Sequence, residues 1–162
     1  MRFSSVPATV AVFSAFSLVH SFDSTTTYDN TYDNPKNSLD IVACSNGPNG
    51  LITKGFTTFG SLPDFPYIGG APAVKGWNSP KCGSCWALTY KGKTINGEFF
   101  YFPRPLCLAN YDVSSVLAID VGSKGFNIAQ KAMDKLTDNQ SVQLGIVDIT
   151  AKEVPASKCG LV

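Results

Sequence analysis

A chain of 162 residues, 44% hydrophobic and 15% charged, can bury one compact core and not two. Its formal charge is +1, and the basic and acidic residues are scattered rather than clustered. That leaves no electrostatic footprint for nucleic acid or an anionic membrane surface.

The chain opens with MRFSSVPATVAVFSAFSLVHS, in which Arg2 precedes an apolar run that ends in small residues near Ser21. This is the layout of a secretory signal peptide, so residues 1–21 are set apart and 22–162 are read as a single mature domain. A membrane-spanning helix needs about 20 continuous apolar residues, and this run is shorter and is broken by Pro7 and several serines. The expected location is extracellular, in the cell wall or the culture medium. The only histidine, His20, leaves with the leader, as does Arg2, so 12 basic residues face 12 acidic ones. Without imidazole, Ser-His, Cys-His and His-metal chemistry are excluded, and neither a metal nor a cofactor is expected.

Along the mature chain, SFDSTTTYDNTYDNPKNS is polar, and Tyr28 and Tyr32 alternate with polar neighbours as in an edge strand. SLDIVACS gives a short β-like run before the turn-rich SNGPNG. From Thr57 to Pro80 the density of Gly and Pro predicts long ordered loops. CWALTYKGKTIN predicts two strands joined at Lys91-Gly92-Lys93, and VLAID a further strand. In GFNIAQKAMDKLTDN the residues Ile128, Ala129, Ala132, Met133 and Leu136 share one helical face, with Asn127 at the N-cap position. SVQLGIVDITAKEV predicts a final pair of strands. Short strands, large loops and one helix suggest a small β-barrel.

Five cysteines are present: Cys44, Cys82, Cys85, Cys107 and Cys159. Disulfides are the default in a secreted chain, although CGSC at 82–85 also has the spacing of a thiol-disulfide redox centre. A four-cysteine zinc site is disfavoured because only one C-x-x-C pair exists. The odd count leaves one cysteine over.

The segments CSNGPNGLITKG, FPYIGGAPAVKGWNSPKCGSCWALTY, VLAIDVGSKGFNIA and SKCGLV, in that order, resemble the cerato-platanin family of small secreted fungal proteins. The combination W-x-S-P-x-C-G-x-C-W carries most of that likeness. The resemblance implies a mainly β fold with short helices, a six-stranded double-psi β-barrel related to the first domain of expansins. It also implies two disulfides, Cys44–Cys82 and Cys85–Cys159, a pairing that removes the redox reading of CGSC. Members of the family bind chitin oligomers, assemble at surfaces and elicit plant defence, and some loosen cellulose without glycosidase activity. The implied partners are chitin or N-acetylglucosamine oligomers, cellulose, host immune receptors and further copies of the chain.

Without histidine, the hydrolysis left open is that of glycosides by two carboxylates, one of them a general acid. Asp120, at the end of a strand, suits a groove equally well as a sugar contact or as an acceptor for loop amides. Where expansin-like proteins carry a carboxylate in a stretch resembling F-D-L-A, this chain reads FNIA, with Asn127 at that position. An amide can hydrogen-bond a sugar hydroxyl but cannot deliver a proton, so no enzymatic turnover is expected. Trp77, in a Gly/Pro-rich loop, is a candidate sugar platform, whereas Trp86, next to a cysteine, reads as core. Tyr32 and Asp33 are candidate groove-edge contacts, and Asn139-Gln140-Ser141 is a glycosylation sequon. The expected function is non-catalytic binding of chitin in the wall together with elicitation of host defence. Non-hydrolytic wall loosening and surface-film formation are the alternatives.

Residues 97–115 interrupt this pattern. The 19 residues bring in FFYF, Cys107 and Arg104, the only arginine of the mature chain. Removing them joins KTIN directly to VLAID and leaves four cysteines. Three explanations are open: a tolerated surface insertion, an apolar flap over a groove, or a translated intron. Gly97-Glu98-Phe99 can be encoded with GTGAGT, Ala109-Asn110 with CTAAC, and Ser114-Ser115 with AG, which suits the third. If the stretch is translated, Cys107 is a free thiol.

Overall fold

The computed structural model describes residues 20–95 and 115–161. The leader reading for 1–21 lies outside these residues except at His20 and Ser21, and Ser21 is the first residue of a strand, paired with Lys152. The insertion readings, including the state of Cys107, lie outside them apart from Ser115. Among the described residues are seven strands: β1 (Ser21–Tyr28), β2 (Ile68–Ala71), β3 (Cys85–Tyr90), β4 (Lys93–Ile95), β5 (Val116–Val121), β6 (Phe126–Ile128) and β7 (Ile146–Val154). Two helices, α1 (Gln130–Thr137) and α2 (Ser141–Leu144), lie between β6 and β7, and single 3-10 turns occupy the loops. The hydrogen-bonded order β3-β5-β2-β6-β1-β7 closes on itself through pairing of β7 with β3, and β4 hangs on β3 as a hairpin. The six-stranded barrel with short helices is therefore present. Its pairing is mixed, parallel at β1–β6 and β2–β5 and antiparallel elsewhere.

Closure leaves no free barrel edge, and this overturns the edge-strand reading of the amino-terminal segment. β1 pairs on both sides, with β6 and with β7. Its Thr26 points inward and is fully buried, while Tyr32 lies beyond the strand in a 3-10 turn, Asn30–Asp33. Three further readings change. LDI in SLDIVACS forms a 3-10 turn, Leu39–Ile41, because Ser38 accepts from the Asp40 amide and starts a turn. The expected carboxy-terminal strand pair is the short helix α2 followed by one long strand, β7, of strict inside-outside alternation. Finally, the loop-like IGGA is the central buried strand β2. A Cβ on Gly70 would press into the Val121 carbonyl oxygen, and one on Gly69 into that of Asn127. Only glycine lets the neighbouring strands approach so closely.

The interior is filled by the inward residues of these strands, by Met133 and Leu136 from α1, and by Leu39, Leu51 and Phe59 from the loops. Trp86 is core, packed edge-on against Phe22 and Phe126, with its Nε1 donating to the Ser84 hydroxyl at 2.8 Å. Both expected disulfides are formed, Cys44–Cys82 and Cys85–Cys159.

β4 and β5 lie in line along one edge of β3. Ile95 stands opposite Leu88, and Val116 opposite Trp86, so a single position, opposite Ala87, separates them. Joining Asn96 directly to Val116 fills that position with no slip in register. A chain lacking 97–115 is therefore expected to fold with both disulfides and a thermal midpoint equal to or above that of the full chain. Failure of the shortened chain to fold would contradict a single interrupted strand.

Asp64 is buried in the loop before β2, and its Oδ2 has no hydrogen-bond partner among the described residues. Burial pushes its carboxyl up from 3.8 to about 8. The acid is thus held protonated in the folded chain at pH values where the unfolded chain ionises it. The stability tied to that proton is fully present below about pH 4 and is lost progressively as the pH rises to about 8. Asp64→Asn should match the parent chain at pH 4 and exceed it at pH 8. Thermal midpoints of the two proteins across that range check this, and a constant difference would contradict it.

Candidate functional site

The strand register assembles the site. A bulge at Gly69/Gly70 makes β2 skip Ile119, so Gly69 pairs with Ala118 and Gly70 with Asp120. The Ile119 carbonyl, turned out of the ladder, accepts from the Cys44 amide at 3.0 Å. The bulge also re-aims Asp120 toward the 32–43 loop. On its other side Gly70 pairs with Asn127, and Asn127 pairs with Thr27. Asp120, Gly70, Asn127 and Thr27 therefore form one band across β5, β2, β6 and β1, with a residue lacking a side chain between the acid and the amide.

Asp120 is half-buried and accepts three hydrogen bonds. Oδ2 takes the Tyr32 hydroxyl at 3.1 Å, while Oδ1 takes the Ala43 amide at 3.1 Å and the Val121 amide at 2.8 Å. The acceptor reading of Asp120 is thereby fulfilled, with two backbone amides and one hydroxyl on its carboxylate. Tyr32 is buried against Phe59. Its hydroxyl is held far above the usual phenol range by burial first, then by the charge and hydrogen bond of Asp120 and by Asp29. It stays a hydrogen-bond donor at any physiological pH.

From Ala43 the network reaches the tryptophan. The Ala43 carbonyl accepts from the Asn78 amide at 3.3 Å. Asn78, in the left-handed region, is clamped by the backbone amide and side-chain amide of Asn49, each at 2.9 Å. Trp77 projects from this clamp 65% exposed, and its Nε1 donates to Asn46 Oδ1 at 2.7 Å. Its ring is fixed by one hydrogen bond while its face stays open to solvent.

Asn127 is not a helix cap. It lies within β6, and its Oδ1 accepts from the Thr27 hydroxyl at 2.9 Å, which leaves its amide nitrogen as a donor. The helix begins three residues later, and its capping acceptor comes from far along the chain: Asp33 takes the amides of Gln130 at 2.7 Å and Lys131 at 3.1 Å. Asp33 therefore stands beside the band with both carboxylate oxygens engaged in holding α1. Asn139 lies in the exposed turn between α1 and α2. Sequence reasoning missed Ala43, Asn49 and Asn78, the backbone and amide links between Asp120 and Trp77. Only the asparagine-rich SNGPNG hinted at them.

The band offers one engaged carboxylate and one amide, and the exposed indole of Trp77 is linked to it through Ala43 and Asn78. Across Gly70 from Asp120 stands the amide of Asn127, where a second carboxylate would be needed for paired-acid chemistry. Among the described residues no group of three or more His, Cys, Asp or Glu side chains is arranged to hold a metal ion. The cerato-platanin family model matches residues 24–98 and 107–161. The chain belongs to the cerato-platanin family. It is similar to the heat-stable 19 kDa antigen of Coccidioides immitis, 42% identical over 164 residues that cover 99% of each chain. Cerato-platanin 3 from M. perniciosa superposes with a TM-score of 0.72 at 42% identity, covering 86% of this chain and 100% of that one. The fungal elicitor cerato-platanin superposes at 0.64 with 33% identity, covering 83% and 95%. Membership confirms the fold that the resemblance implied. Among the described residues of this cerato-platanin no helix is long and apolar enough to cross a membrane.

Proposed function

We propose that this cerato-platanin is a secreted, non-catalytic protein that binds N-acetylglucosamine oligomers of the cell wall and is recognised by host immunity as an elicitor. The observation that carries the reading is the fixed, solvent-facing ring of Trp77, tied through Asn78 and Ala43 to Asp120. An aromatic face stacks on the apolar side of a pyranose, while Asp120 accepts from sugar hydroxyls and the Asn127 amide donates to an acetamido or ring oxygen. The absence of turnover rests on the same side chains: Asp120 already serves three donors, and Asn127 has no proton to deliver. Secretion rests on the leader pattern of residues 1–21.

Calorimetric titration with N-acetylglucosamine tetramer, run beside a reducing-sugar assay on chitin and cellulose, tests the reading. Binding without sugar release is expected. Release of reducing ends by the purified protein, or no binding to any glycan, would contradict it. Cellulose loosening without hydrolysis draws on the same band. A film-forming role is favoured by a separate observation, the exposure of Ile41, Trp77, Val121, Val142 and Ile146. Lowered surface tension that persists in a Trp77→Ala chain would support it.

A further inference from the structure

We infer that Asn139 is an N-glycosylation site whose acceptor sequence is open only until the barrel closes, so that the glycan goes onto the entering chain and not onto the folded one. The inference shares with the proposed function only the secretory leader. Asn139-Gln140-Ser141 has the acceptor spacing, in which the hydroxyl two residues after the asparagine must be free for the transferase to read. In the folded chain the asparagine is available and the serine is not. Asn139 is exposed between the exposed Asp138 and Gln140. Asp138 and Asn139 are both left-handed, with φ of 56° and 64°, in the turn that leads from α1 into α2. Aspartate and asparagine tolerate that conformation better than other side chains. A sugar on Asn139 therefore meets solvent and not the core. Ser141 is 0% exposed. Its hydroxyl donates to Asp134 Oδ1, its amide donates to the same oxygen at 3.3 Å, and its carbonyl accepts from the Gly145 amide at 2.8 Å. The fold thus occupies every polar group of the residue that the transferase must read.

Topology supplies the interval in which that residue is free. A secreted chain crosses the membrane amino terminus first, so Asn139 arrives ahead of β7 and Cys159. β7 is the strand that pairs with β1 on one side and β3 on the other and so closes the barrel. Cys159 then ties the end of the chain to Cys85 at the start of β3. Until both have entered, the barrel is open and nothing fixes the Ser141 hydroxyl on Asp134. In that interval Asn139 Nδ2 bonds to C1 of an N-acetylglucosamine carried on a lipid pyrophosphate. The bond from C1 to the pyrophosphate oxygen breaks and the pyrophosphate leaves with the electron pair, while the amide gives one proton to a base of the transferase. Closure then buries Ser141 and leaves the sugar outside. An asparagine kept only for its left-handed turn would carry no sugar.

The test secretes the full chain from a fungal host, with residues 1–20 either kept or replaced by the host's own leader, and reads its intact mass before and after digestion with peptide N-glycosidase. The expected result is a set of heavier species that collapses on digestion, leaves aspartate at 139 and is absent from an Asn139→Gly chain. Glycine keeps the left-handed turn, so this variant should match the digested parent in thermal midpoint. Secretion of the parent without sugar would overturn the site. Modification seen only with the replaced leader would support the site and count against the native leader instead. A second arm offers chain made without the modification to purified oligosaccharyl transferase and its lipid-linked donor, either folded or reduced and unfolded. Transfer to the unfolded chain is expected to be at least tenfold faster. Equal transfer to the folded chain would overturn the order of events, and transfer to neither would overturn the site.

Discussion

Replacing Asp120 by alanine is expected to cost about 3 kcal/mol of stability, the size of effect set by stranding buried donors. It should also cost at least tenfold in affinity for N-acetylglucosamine tetramer. The stability loss falls unequally on the three donors. Val121 is exposed, and its amide can turn to water, but the Tyr32 hydroxyl is buried and donates to Asp120. The Ala43 amide matters for a different reason. It holds the loop whose carbonyl fixes Asn78, and through it the Trp77 ring. Loss of Asp120 therefore removes a sugar acceptor and loosens the aromatic platform together. Tyr32→Phe separates the two effects, since it deletes the donor with its hydroxyl and leaves the Ala43 link intact. It should cost about 1 kcal/mol and leave affinity nearly unchanged. Urea unfolding and calorimetric titration of the three proteins check this ordering, and an Asp120→Ala chain as stable and as tight-binding as the parent would refute it.

Removing the Cys85–Cys159 bridge should have the largest effect on stability of any single change discussed. The bridge spans 74 residues and Cys44–Cys82 spans 38, for which loop-closure entropy gives about 4 kcal/mol each. Cys85 opens β3, pairing with Leu117 on one side and Val154 on the other. Cys159 ends the last 3-10 turn, so the bridge locks the carboxy-terminal turn onto the strand where the barrel closes. A small domain has about 5–15 kcal/mol in total, so reduction of both bridges should remove most of the folded population under mild denaturant. Unfolding curves with and without reductant measure the difference. Coincident midpoints would contradict the account.

How much of this was legible in the sequence varied with the kind of residue. The strands around Cys85–Tyr90 and Val116–Val121 announced themselves through β-branched and apolar runs, and α1 through its buried face. β2 did not, because its two glycines look like loop residues until the strands that need the space are known. Asp120 was identifiable as the acid at a strand end. Its double duty was not, since the bulge at Gly69/Gly70 that turns it toward Tyr32 and Ala43 has no local signature. Asn127 was misread as a cap because its position before a helical face is correct for one. The actual acceptor, Asp33, reaches the helix from about a hundred residues earlier in the chain. The interruption read at 97–115 from its change of composition falls outside the described residues apart from Ser115, and β4 before it and β5 after it lie in line along β3. The genomic sequence and a spliced transcript decide whether the intervening codons are translated.

The central claim is that the Asp120 band is where a chitin oligomer binds. Amide and indole chemical shifts recorded during titration with N-acetylglucosamine tetramer test it most directly. The account predicts the largest changes at Ala43, Trp77 Nε1, Val121 and the Asn127 side chain, with the β7 wall at Asp148 and Thr150 unmoved. Shifts confined to that wall, or spread evenly over the barrel, would contradict it.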